Sequence, residues 1–152
     1  MKKYELTDET IVYLGHTLHR IRALISFNDV QAGDLGGWIE TESNLAQDGN
    51  AWVYGNARVY GNARVCGNAQ VYGDEKWMIF GPAGSRNDFT TFFACADGSI
   101  GVKCGCFYGN LDDFAKKVQA THGDNDHAKV YNAAIEVAKM RICVDAKEAA
   151  EA

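Results

Sequence analysis

Residues 50–73 read NAWVYG, NARVYG, NARVCG, NAQVYG, four hexamers that differ at few positions, and residues 44–49 (NLAQDG) form a weaker copy ahead of them. A period of six fits neither a helix of about 3.6 residues per turn nor an uninterrupted alternating strand. It fits short straight segments separated by corners, and a repeat of this kind governs the reading of everything around it. Val53, Val59, Val65 and Val71 are expected to point inward, with Ala51, Ala57, Ala63 and Ala69 in the tight places beside the corners. The recurrent Gly-Asn pairs at 49–50, 55–56, 61–62 and 67–68 carry the two residue types that most readily take positive φ.

An aliphatic residue followed four places later by a small one resembles the hexapeptide repeat of left-handed parallel β-helices. The resemblance implies three hexamers to a triangular coil, so that residues eighteen apart, such as Val53 and Val71, lie one above the other. Five hexamers then give fewer than two coils, short for a free-standing solenoid, and the flanking chain must cover the ends. The expected fold is therefore mainly β with an α+β C-terminal part. It divides into an N-terminal β cap over residues 1–37, a short hexapeptide β-helix over 38–74 and an α+β domain over 75–152.

In the cap, residues 9–14 (ETIVYL) and 17–25 (TLHRIRALI) are rich in strand formers, and Gly15-His16 between them predicts a hairpin turn. After the repeats the pattern changes. Residues 76–80, 88–95 and 99–106 read as three antiparallel strands, the last two joined by an Asp97-Gly98 turn. Asn110 is a good N-cap for a helix with an apolar stripe at Leu111, Phe114 and Val118, and residues 122–125 (HGDN) end it. A second helix follows through Tyr131, Ile135, Ala138 and Ile142, and the tail from Asp145 to Ala152 is small, charged and expected to fray.

The chain has 152 residues, is 47% hydrophobic and 23% charged, and carries a formal charge of −5. That balance fits a folded globule and argues against a nucleic-acid partner, which usually requires a basic surface. No apolar run reaches the roughly 18 residues that cross a bilayer, and the start MKKYEL lacks the apolar core of a signal peptide, so a cytoplasmic protein without membrane contact is expected. The five cysteines (Cys66, Cys95, Cys104, Cys106 and Cys143) are accordingly expected as thiols.

The repeats, residues 33–39 (GDLGGWI), 84–93 (GSRNDFTTFF), 105–107 (GCF) and 122–125 (HGDN) together resemble accessory proteins of bacteriophages and prophages that join a YGNARVYGNA-type array to a C-terminal domain. The resemblance implies a small protein of a phage genome in the bacterial host cell and brings no activity with it. The resemblance to hexapeptide-repeat acyltransferases and a zinc carbonic anhydrase would imply a histidine on the repeats as base, or three as zinc ligands, whereas His16, His19, His122 and His127 all lie outside them. Cys104 and Cys106, alternate in a strand, are expected to be small core residues, and His122 to His127 a helix–helix turn. No catalytic, metal or cofactor site is expected.

Binding is expected instead at two places. Arg86, Asn87 and Asp88 follow a glycine-rich turn that can present a guanidinium, an amide and a carboxylate rigidly. Trp52, Arg58 and Arg64, with Tyr54 and Tyr60, occupy outward repeat positions and belong to the residue types enriched at binding hot spots. The leading reading is a non-enzymatic, phage-encoded interaction protein that binds a bacterial host protein and blocks a defence component, with self-association through the solenoid faces compatible with it. The alternative is a binder that sequesters a small nucleotide-like signal. An acyltransferase-like enzyme ranks third, because of the missing repeat histidines.

Overall fold

A computed structural model describes residues 2–142; Cys143 and the charged tail lie outside the described residues. Ten strands and two helices follow one another as β1 (Tyr4–Tyr13), β2 (His16–Ala23), β3 (Leu35–Ile39), β4 (Trp52–Val53), β5 (Arg58–Val59), β6 (Gln70–Val71), β7 (Trp77–Ala83), β8 (Asp88–Ala94), β9 (Ile100–Cys104), β10 (Phe107–Asn110), α1 (Leu111–His122) and α2 (Asp126–Arg141). The strands form three separate sheets, ordered β1-β2-β3-β5, β4-β6 and β10-β9-β8-β7.

This corrects the expected fold. Among the described residues the chain is mainly β with two helices and separate sheets, and no left-handed β-helix or other solenoid is found. Three hexamers supply two residues of strand each before the glycine turns the chain, and these short segments are shared out between two separate sheets. β5 completes the N-terminal sheet, in parallel with β3 (Trp38 opposite Arg58), and β4 and β6 form a parallel pair of their own (Val53 opposite Val71). The NARVCG hexamer contributes only a single bridge, Val65 to Leu45. At the corners the glycine alone is left-handed, with φ of +57° at Gly55 and +67° at Gly61. The four valines and four alanines of the repeats are all at most 1% exposed. Asn44 is buried beside them and donates from Nδ2 to the carbonyls of Gly61 and Ala63 at 3.1 and 2.9 Å, tying the repeats to the segment before them.

The second correction concerns the C-terminal sheet, which has four antiparallel strands and not three. Gly105, at φ +58°, turns the chain at Cys106, and β10 returns along β9 with Phe107 opposite Cys104. Cys104 and Cys106 therefore do not alternate in one strand: the first is half-buried in β9 and the second is exposed in the turn. Asn110 and Asn125 cap the helices, each side chain accepting a backbone N–H three residues on, from Asp113 at 2.8 Å and Ala128 at 3.0 Å.

Two cores meet at this sheet. Trp77, Phe93 and Cys95 belong to a cluster with the repeat valines and Tyr4, while Phe92, Ala94 and Val102 belong to a cluster with Phe114, Tyr131 and Ile135 of the helices. Successive residues of β8 thus point into different cores, as strand alternation requires.

Candidate functional site

The β1–β2 hairpin turns at Leu14 and Gly15, whose φ values of +50° and +83° suit a tight two-residue turn, and it delivers His16 to the first position of β2. Glu40 follows directly on β3. Its Oε2 lies 3.0 Å from His16 Nδ1, and its Oε1 accepts the N–H of Gly61 at 2.8 Å. The His16 hydrogen bond and then the Gly61 N–H hold the Glu40 carboxyl below the usual carboxylate range. An ionised carboxylate only accepts, so His16 donates from Nδ1, and in the neutral imidazole Nε2 then carries the free lone pair. The two side chains are 34% and 29% exposed, so the pair is ordered yet reachable from solvent. The His16 ring rests 4.9 Å from that of Tyr60, which is itself fixed edge-on by Tyr13 at 5.7 Å and Trp77 at 5.5 Å. Among the described residues this is the one histidine paired with a carboxylate.

A cleft of about 540 Å³ opens in the C-terminal part, between the β7–β8 turn, the β9–β10 turn and α1. Arg86, Asp88, Lys117, His122 and Tyr131 line it over a floor that includes Phe114. Burial pushes the Tyr131 hydroxyl above its ordinary range, with nearby Cys104 and Asp88 adding to the effect. Thr90 Oγ1 donates to Cys104 Sγ at 3.1 Å. Among the described residues no three His, Cys, Asp or Glu side chains gather as a metal set.

The residues expected to bind fall into different environments. Arg86 and Asp88 both line the cleft, and Asn87, at φ +55°, closes the turn through its N–H to Gly84 O at 3.1 Å. Trp52 is corrected outright: it is 1% exposed, wedged edge-on against Tyr4 and Phe27, because the N-terminal segment covers that face of the repeat. Arg58 is occupied, ion-paired with Asp74 and lying 3.6 Å over the Tyr13 ring. Tyr54 stacks on Tyr72 at 4.2 Å and donates to Asp29 Oδ1 at 2.9 Å, and Tyr60 is held in the aromatic group beside His16. Arg64 stays exposed above a depression of about 50 Å³. His16, Glu40, Lys117 and Tyr131 escaped the sequence reading as site residues. The signal for the first two was their position at opposite ends of strands that pair antiparallel, with His19 opposite Ile39.

No family model matches the chain. Over 62 residues it is 42% identical to a protein of Escherichia coli (strain K12) described as the uncharacterized acetyltransferase YdcK. The matched part covers 36% of this chain and 19% of that protein, so the chain spans about a fifth of the relative's length. This likeness overturns the expected phage or prophage family and the expected non-enzymatic inhibitor of host defence. The relative's printed name is that of an acetyltransferase, the kind ranked third from the sequence. No helix among the described residues is long and apolar enough to cross a membrane.

Proposed function

We propose that the chain is an acyltransferase-like protein in which His16, held by Glu40, is the general base. The observation that carries this reading is the 42% identity to a protein named as an acetyltransferase. The objection from the sequence was the lack of a histidine on the repeats. The hairpin answers it by bringing His16 against Tyr60 of the second full hexamer. In the transfer, an amine or hydroxyl acceptor gives its proton to His16 Nε2 as its heteroatom attacks the carbonyl of an acyl thioester. Collapse of the tetrahedral intermediate expels the thiolate, which takes that proton from the imidazolium. Glu40 keeps the proton of Nδ1 in place and stabilises the imidazolium between the two transfers.

The test is chromatographic measurement of coenzyme A released from acetyl-coenzyme A in the presence of a panel of small amines and sugars. His16→Gln is expected to lower the acceptor-dependent rate by about 10²–10⁴-fold, the usual contribution of a general base. Glu40→Gln should lower it less. An unchanged rate in His16→Gln would refute the assigned role, and no acceptor-dependent release by the wild-type chain would refute the function.

A further inference from the structure

We propose that the cleft between the β7–β8 turn and α1 binds a small organic anion with an apolar, ring-sized body, at a site separate from the His16–Glu40 pair. At about 540 Å³ the cleft falls within the range of small-molecule sites, about 300–1,000 Å³. Its floor is apolar and well packed: Phe114, Val118 and Tyr131 are at most 8% exposed and belong to one core with α1 and α2. Phe114 stands edge-on to Tyr131 at 5.6 Å, and both rings line the cleft.

The rim supplies the charge. Arg86 and Lys117 face the cleft from the turn and from α1, and among the described residues neither has an ion-pair partner. Asp88 is the one carboxylate on the lining, and its Oδ1 already accepts the N–H of Phe89 at 2.7 Å. Two cations against one engaged carboxylate favour an anion, and a guanidinium beside an ammonium suits a carboxylate, sulfonate or phosphate.

The turn that carries Arg86 is held from below. Tyr131 Oη donates to Ala83 O at 3.4 Å, and Gly84, at φ +80°, lies so close that a Cβ there would sit 2.0 Å from the Tyr131 oxygen. Helix α2 thereby fixes the height of the turn over the floor. Arg86 meets its ligand from a preorganised backbone, which limits the entropy lost on binding.

The site is tested with two fluorescent probes on the full chain, the aromatic sulfonate 1-anilinonaphthalene-8-sulfonate and its neutral analogue N-phenyl-1-naphthylamine. The sulfonate should bind at one saturable site. An Arg86→Ala/Lys117→Ala double variant should weaken it at least about tenfold, the lower end of what hydrogen bonds to charged groups contribute, and leave the neutral probe within about twofold. Asp88→Asn, which keeps the oxygen facing Phe89 but removes the opposing charge, should tighten the sulfonate. An unchanged sulfonate affinity in the double variant, or equal losses for both probes at an unchanged melting temperature, overturns the proposal. The readout needs no acyl donor and stands whether or not acetyl transfer is found.

Discussion

Trp52→Ala separates an outward tryptophan from an inward one more sharply than any other substitution in the repeats. The side chain is 1% exposed, and its ring is wedged between Tyr4 at 6.1 Å and Phe27 at 5.4 Å. An aromatic side chain buries about 150–250 Å², which at about 25 cal/mol per Å² amounts to roughly 4–6 kcal/mol. Partial collapse of the site brings the usual cost of removing a core Trp or Phe to about 3–5 kcal/mol. For a chain of this size that lowers the melting temperature by about 6–20 °C, measured by circular dichroism, with urea unfolding as a second probe. Gly36 supplies an internal check, because a Cβ there would stand 2.7 Å from Trp52 Cζ2, Ile21 Cγ1 and Val53 O. Gly36→Ala should destabilise the wild type, and should do less damage in the Trp52→Ala background, where one of the three obstructions is gone. A Trp52→Ala variant that melts within about 2 °C of wild type would refute the inward assignment and with it the covering role of Tyr4 and Phe27.

Two further outcomes are expected. Lys3 is 1% exposed, its ammonium donates to Ala51 O at 2.7 Å, and burial brings it down from 10.5 to about 8, with Asp48 working against the shift. Between those values the unfolded chain holds the proton and the folded chain does not, so stability relative to Lys3→Met should be flat below pH 8 and rise toward pH 10.5; a constant difference between the two proteins across that interval would contradict the burial of the ammonium. In a Cys143→Ser background at pH 8, an aromatic disulfide reagent should modify exposed Cys106 first, while Cys66 and Cys95, both pushed up to about 11 by burial, should react only on unfolding. Equal rates at Cys95 and Cys106 would count against the core placement of Cys95.

The sequence made the interior of the repeats legible because valine and alanine recur at fixed places and nothing else there can fill a narrow space. It also supplied one pairing, Val53 against Val71 eighteen residues on, but not the partners of the other short segments. Two residues of strand have no preference strong enough to choose a neighbour, and Arg58-Val59 ended beside Leu35–Ile39 in a sheet with the hairpin. Trp52 was misread for the same reason. Its repeat position is equivalent to those of Arg58 and Arg64, and only the N-terminal segment laid over it makes it a core residue. The helix caps were readable because an Asn side chain acts within three residues of itself, which is local chemistry. Arg86 and Asp88 were legible as loop residues, but Lys117 and Tyr131 were not, since helical spacing alone does not say which cleft a helix faces. The pairing of His16 with Glu40 spans 24 residues and depends on antiparallel register, which hydrophobic pattern fixes only where one face is buried and the other wet.

Strand β8 raises that last point in another form. With Phe92 turned to one core and Phe93 to the other, both faces of the strand are apolar, and the contrast that normally penalises a one-residue slip has vanished. Alignment must come from shape. Opposite Phe93 stands Gly101, where any Cβ would lie 2.3 Å from the phenylalanine ring. The ring therefore occupies the place of a missing side chain, as a peg does a socket, and a slipped strand would set it against Ile100 or Val102 instead. A single glycine in β9 thus acts as the index mark that tells two similar phenylalanines apart.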